Sequence, residues 1–211
     1  MCRLLCVKAN KAFEIRPHLK IFAEIARRSK EYQGHGWGCA WLQGGQWKVY
    51  HNINPIWKDD LGQFDRSPLL IAHARSAFRD EGICVENNMP FFDGHTMFMF
   101  NGELRGVRIK EHGRIGAEKI FNYVKRFNHG DMLRALERGV SVIKKKTRYI
   151  RAMNIVMADT NKVYLSTLFN EDPEYFQMWS KRAGDMQLIC SEAYPGESRW
   201  NACHNGTIEA F

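Results

Sequence analysis

Cys2-Arg3-Leu4-Leu5-Cys6-Val7-Lys8 opens the 211-residue chain with apolar residues at both parities: Cys2, Leu4 and Cys6 in one set, Leu5 and Val7 with Arg3 in the other. Successive strand side chains point to opposite faces, so this stretch predicts a buried strand from the first residues of the chain onward. A strand apolar on both faces has to be covered on both sides. The order of elements along the whole chain, strands, then two helices, then strands again, favours an α+β layered domain in which sheets pack together and helices cover the outside.

Outward from this strand, Pro17 suits a first helical position, and Leu19, Phe22, Ile25 and Ala26 recur at helical spacing, predicting a helix with one buried face that ends before Gly34. Gly34-His35-Gly36-Trp37-Gly38-Cys39-Ala40-Trp41 reads as a glycine-studded entry into a strand. Gly44-Gly45 then marks a turn, and Gln46-Trp47-Lys48-Val49-Tyr50 the returning strand of a hairpin. Leu69 to Arg75 predicts a buried strand that delivers His73 and Arg75 at its end, and His95 to Phe100 another that ends at Asn101-Gly102. Helices are expected over 117–127 and 131–145, the second capped by Asp131 with Met132, Leu133, Leu136, Val140 and Ile143 inward. Strands follow at 154–158, 163–167, 175–181 and 186–190. No linker or repeat divides the order, so one domain over 1–211 is expected.

Composition narrows the function classes. With 45% hydrophobic and 26% charged residues the chain is an ordinary globular one, able to bury roughly 70% of its unfolded surface. No segment approaches the roughly 18 apolar residues of a spanning helix. The N-terminus lacks the basic, apolar and small-residue sections of a signal peptide, so the expected location is cytoplasmic. Six cysteines, at 2, 6, 39, 84, 190 and 203, form no CxxC pair and no zinc spacing and read as reduced, mostly buried residues. The net charge is +8, and its densest run is Lys144-Lys145-Lys146 with Arg148 and Arg151. Without a nucleic-acid module signature, that run reads as a solvated helix end.

Cys2 is the exception among the cysteines. Methionine removal acts on chains with a small second residue and would leave Cys2 with a free α-amine, which titrates near pH ~8. Such an amine can serve as the thiol's own general base, directly or through a water. Arg75 is either a structural ion-pair arginine or a two-pronged anchor for a free carboxylate. Asn101-Gly102 is a hairpin signal and equally a pair of donors, one side-chain amide and one backbone N–H, for an oxyanion. His73 and the aromatic set Trp37, Trp41, Trp47, Phe98 and Phe100 read as core.

The chain resembles the class II glutamine amidotransferases, which are N-terminal nucleophile hydrolases, and among them the small stand-alone members. The resemblance runs end to end. It rests on Met1-Cys2-Arg3-Leu4-Leu5, Gly36-Trp37-Gly38, His73-Ala74-Arg75, Asn87-Asn88-Met89-Pro90-Phe91, Asn101-Gly102-Glu103-Leu104 and Ser191-Glu192 followed by Trp200. It implies a four-layer αββα sandwich in which Cys2 attacks the side-chain amide of glutamine or a γ-glutamyl compound, forms a thioester and releases ammonia or an amine. Asn101 and Gly102 would form the oxyanion hole, and Arg75 would bind the substrate's α-carboxylate. Any ammonia-accepting synthase would be a separate chain. The chemistry requires no metal or organic cofactor, and no phosphate loop or dinucleotide fingerprint occurs.

Three positions depart from the family pattern. Phe100 stands where a histidine precedes Asn-Gly, and Phe78 where a threonine follows the arginine. Gly116 stands where an acidic residue binds the substrate's α-amine, with Glu118 two residues on. These changes lead to the expectation that free glutamine is not the best substrate. They also support an alternative: a catalytically silent, γ-glutamyl-ligand-binding or regulatory subunit of a separate synthase.

Overall fold

In the computed structural model, which describes residues 1–211, the opening stretch forms β1 (Arg3–Glu14) in the interior of a seven-stranded antiparallel sheet. Its partners are β2 (Trp37–Gln43), β3 (Gln46–Asn52), β4 (Arg66–Ala74), β9 (Trp179–Ala183), β10 (Met186–Cys190) and β11 (Asn201–Ala202), in the lateral order β11-β9-β10-β1-β4-β2-β3. A second antiparallel sheet has the order β12-β8-β7-β6-β5. It contains β5 (Phe91–Phe92), β6 (Met97–Val107), β7 (Thr147–Ala158), β8 (Val163–Ser166) and β12 (Ile208–Ala210).

The two parities of β1 go to two different cores. Leu5 and Val7 pack with Leu19, Phe22, Ile25 and Ala26 of α1 (Ile15–Arg28). Leu4 and Cys6 join Leu69, Ile71, Met97, Met99 and Met153 in the core that includes the space between the sheets. The far side of the second sheet is covered by α2 (Gly116–Lys125) and α3 (Met132–Lys146), with Phe98 stacked on Phe121 at 4.9 Å. The layers are therefore helix, sheet, sheet, helix. Each fully buried side chain of this kind stabilises the fold by roughly 1.5–3 kcal/mol. No helix is long and apolar enough to cross a membrane.

Local expectations are met at several points. The Gly44-Gly45 hairpin forms. The Asp131 carboxylate accepts from the Arg134 N–H at 3.1 Å as a helix cap. Lys144, Lys145 and Lys146 are exposed at the end of α3.

Other expectations need correction. Asn101-Gly102 is not a turn: both residues lie inside β6, paired with Asn154 and Met153 of β7. Long-range pairing along Met97–Val107 overrides the local turn preference of the dipeptide. Glycine is required there for another reason, since a Cβ at 102 would collide with the Ala152 carbonyl oxygen. The strand expected over 175–181 begins only at Trp179. Ahead of it Pro173 opens a one-turn helix, α4 (Pro173–Phe176), its fixed φ suiting a first helical position. Pro17 is the third rather than the first residue of α1, where its missing N–H still falls among the unbonded donors of the first turn. Leu133 is only partly buried, and Gly139 fills the inward stripe of α3 instead, where a Cβ would lie 2.8 Å from Val124.

Candidate active site

Antiparallel pairing sets the site. Arg3 of β1 lies opposite Ala74 of β4, so the residues just beyond these strand ends, Cys2 and Arg75, come out at the same sheet edge. The Cys2 thiol is buried and donates to the Ser76 carbonyl at 3.7 Å. Burial pushes its pKa up. The Met1 ammonium and the Arg75 guanidinium pull the other way, so with Met1 attached the sulfur is a protonated thiol.

Arg75 is locked by its backbone. Its N–H donates to the Gly36 carbonyl at 2.9 Å, and its carbonyl accepts from the His35 N–H at 3.1 Å. In the side chain, Nη2 donates to the Gly82 carbonyl at 2.8 Å, an oxygen shared with the Asn87 amide at 2.9 Å. Nη1 is buried and has no protein partner. A buried guanidinium N–H with nothing to bond is a costly arrangement in a stable protein, and it suits capture of a carboxylate.

The short motifs meet one another at this edge. Gly36 has φ +103°, and a Cβ there would collide with the Asn88 amide nitrogen. Asn88 in turn donates to the Asn52 carbonyl at 2.9 Å and leaves its own Oδ1 without a partner. Gly36 thus takes a backbone conformation and a close approach that only glycine accommodates.

Asn101 is fully buried on β6, and both its Nδ2 and its Oδ1 lack partners. Asn154, directly across on β7, is satisfied: its amide donates to Phe176 O at 2.7 Å and its Oδ1 accepts from Leu168 N at 3.1 Å. Unbonded buried polar groups are rare and concentrate at functional sites. His73 of β4 feels both the Arg75 charge and the Phe100 carbonyl of β6. Burial, first, and then Arg75 push its pKa down to about 3. His73 is therefore a neutral core residue, and neither ring nitrogen has a hydrogen-bond partner.

Ser191 fastens β1. Its Oγ accepts from Leu4 N at 2.9 Å, and its N–H donates to Leu4 O at 2.9 Å. Gly116 opens α2 with nothing within 4 Å of a would-be Cβ. The Glu118 carboxylate is occupied by Arg114, with Nε at 3.0 Å and Nη2 at 2.6 Å. Phe78 is exposed and Phe100 buried. No group of three or more His, Cys, Asp or Glu side chains is arranged to hold a metal ion.

Three residues at the site were missed by sequence reasoning. Glu31 pairs with the Met1 ammonium. Gln33 and Tyr175 both donate to the Met1 carbonyl, at 2.6 and 2.5 Å. A mixed-charge cavity of about 430 Å³, lined in part by Arg3, Lys30, Asp172 and Glu192, reaches the same Tyr175. No periodicity or motif marks these residues, because they meet only through tertiary contacts.

No protein-family model matches the sequence, and no curated protein matches it. Among solved structures the chain is similar to a glutamine aminotransferase class-II domain protein from Silicibacter pomeroyi. The TM-score is 0.65 and the identity 16%, covering 99% of this chain and 94% of that one. It is also similar to a predicted glutamine amidotransferase from Pseudomonas aeruginosa, with TM-score 0.62, 15% identity and coverage of 100% and 97%. The glutamine phosphoribosylpyrophosphate amidotransferase of B. subtilis matches at TM-score 0.62 and 15% identity, over 90% of this chain and 42% of that longer one. The chain shares with these structures its fold of two packed antiparallel sheets covered by helices.

Proposed function

We propose that the chain is an amidohydrolase that cleaves the side-chain amide of glutamine or a γ-glutamyl compound, with Cys2 as nucleophile after Met1 is removed. The observation that supports this reading is a pair of buried polar groups left without protein partners: Nη1 of Arg75, whose strand end lies beside that of Cys2, and the Asn101 amide on β6 of the other sheet. In the proposed cycle the Cys2 α-amine takes the thiol proton, and the sulfur attacks the amide carbon. The developing oxyanion accepts from Asn101 Nδ2 and the Gly102 N–H, while Arg75 Nη1 holds the substrate's α-carboxylate. The ammonium then protonates the leaving nitrogen, so ammonia or an amine departs and a thioester remains. Water, deprotonated by the same amine, cleaves the thioester to a carboxylate and frees the sulfur. A synthase that consumes the ammonia would be a separate polypeptide.

Gly116 refines the substrate class. With no carboxylate at that position and Glu118 held by Arg114, a substrate α-ammonium loses a partner worth roughly 1.5–3 kcal/mol. A γ-glutamyl compound with a modified amine is therefore a better substrate than free glutamine. The test is the intact mass of the cell-purified protein before and after 6-diazo-5-oxonorleucine, an electrophilic glutamine analogue. Loss of Met1 with one adduct on Cys2 is the expected result. A processed chain that takes no adduct and releases no ammonia or amine from glutamine or γ-glutamyl compounds would refute the enzyme and favour the silent, ligand-binding subunit.

A further inference from the structure

We propose that Gln33, Tyr175 and Glu31 form a cradle that positions the α-amine of Cys2 once Met1 is gone. The inference rests on the N-terminal nucleophile reading above and extends it to residues outside the reacting set.

The cradle is visible through what it holds in the unprocessed chain. Two donors converge on one oxygen: the Tyr175 hydroxyl at 2.5 Å and the Gln33 amide at 2.6 Å from the Met1 carbonyl. That oxygen is separated from the Cys2 nitrogen by the single carbonyl carbon of the peptide link, roughly 2.3 Å by standard bond lengths. When an aminopeptidase hydrolyses the Met1–Cys2 bond with one water, the acyl half leaves as methionine and the nitrogen stays as the new amine. The two groups then face the Cys2 amine itself, or a water bound to it.

Gln33 is fully buried, and its Oε1 has no partner in the unprocessed chain. An amine N–H is the donor that this acceptor lacks. Glu31 completes the set. Its carboxylate pairs with the Met1 ammonium and, at 3.2 Å, with Arg151. With the methionine gone, the Cys2 ammonium is the cation that takes the vacated side.

The cradle is rigid, as a positioning device has to be. The Gln33 amide also donates to the Glu31 carbonyl at 2.8 Å, and the Tyr175 hydroxyl lies 3.4 Å from Ser29 Oγ. The Tyr175 ring is clamped by the Arg3 guanidinium 4.1 Å from its centroid. The loop after α1, the one-turn α4 and the start of β1 thus meet at one point. In the released chain the cradle fixes which way the amine lone pair points, and Glu31 biases it toward the ammonium.

The charged and titratable groups around the amine come from every neighbouring element. Glu31 lies on the loop after α1. Arg75 and His73 come from the end of β4, and His35 from the loop before β2. Arg3 lies on β1, and Arg151, with its partners Asp172 at 2.5 Å and Glu103 at 3.5 Å, stands behind Glu31. Of these, Glu31 favours the protonated amine and Arg75 disfavours it.

The experiment follows alkylation of Cys2 by 6-diazo-5-oxonorleucine as a function of pH in the full processed chain, with Met1 removal verified by intact mass. Glu31→Gln should move the rising limb of the rate to lower pH, because the carboxylate that stabilises the ammonium is lost, and Glu31→Asp should restore it. Tyr175→Phe, which keeps the ring under Arg3, should slow alkylation about tenfold at unchanged half-saturating reagent. A merely structural role would leave the pH limb where it is. Glu31→Gln and Tyr175→Phe proteins that are processed and folded, yet keep the parent's rate and pH profile, would overturn the cradle while leaving the nucleophile reading intact. A processed parent that is never alkylated would overturn both.

Discussion

Asn101 and Asn154 face each other across β6 and β7, both fully buried, and differ in what they bond. Alanine at each should therefore act with opposite balance. Asn154→Ala removes two hydrogen bonds and strands the Phe176 carbonyl and the Leu168 N–H in the interior. Each stranded group costs about 1–3 kcal/mol, so a loss of roughly 2–6 kcal/mol is expected, or about 4–24 °C in Tm for a chain of this size. Asn101→Ala breaks no hydrogen bond, because the amide has none to a protein group. It removes an unpaired amide and leaves a small cavity, two effects of about 1 kcal/mol that oppose one another, so Tm should stay within a few degrees of the parent or rise. In the reaction the order reverses. Removing one oxyanion donor slows the chemical step by about 10²–10³-fold, so Asn101→Ala should form the Cys2 adduct far more slowly while remaining fully folded. Thermal unfolding by circular dichroism and adduct formation by mass, measured on both proteins, decide the matter. An Asn101→Ala protein as destabilised as Asn154→Ala would show that the amide supports the fold, and the oxyanion assignment would fall with it.

Two other outcomes follow from the same geometry. His73 is held neutral with a pKa of about 3, against an ordinary value near 6.5. Between those values the unfolded chain binds a proton that the native chain does not, so stability should fall as pH drops from 6.5 toward 3, by at most roughly 1.4 kcal/mol per pH unit from this residue. His73→Met should flatten that part of a denaturation-versus-pH curve, and an unchanged slope would remove His73 as a contributor. Gly116→Asp places a carboxylate where a side chain has open space, at the first position of α2. It should improve kcat/KM for free glutamine by about 10–100-fold, and no gain would show that the substrate's amine lies elsewhere.

How far the sequence could be read depended on the range over which each instruction acts. The double parity of residues 2–8 and the Asp131 cap with its apolar stripe are local patterns, and the corresponding elements form. Arg75 could be placed because the strand ahead of it ends cleanly at Ala74. Asn101-Gly102 carried two local meanings, a turn and a donor pair. The pairing of β6 with β7, more than forty residues on, discarded the turn. Tyr175 has the composition of a strand residue, but Pro173 and the left-handed backbone of Asp172 turn it into a helix that faces Met1. The ion network of Glu31, Arg151, Glu103 and Asp172 joins four segments far apart in sequence, and no spacing rule announces it.

The register that sets Cys2 beside Arg75 also imposes a timetable. Leu5 pairs with Cys190 on one side of β1, and the Met1 carbonyl waits for the hydroxyl of Tyr175. Chains grow at roughly 5–20 residues per second, so the first strand spends on the order of ten to forty seconds without the neighbours that finally enclose it. During that interval the amino terminus is a free, extended peptide on which an aminopeptidase can act. Afterwards Glu31, Gln33 and Tyr175 close over residue 1. On the proposed removal of Met1, maturation and folding would compete in time, and faster synthesis or early closure of the central sheet would raise the fraction of molecules sealed with the methionine still in place.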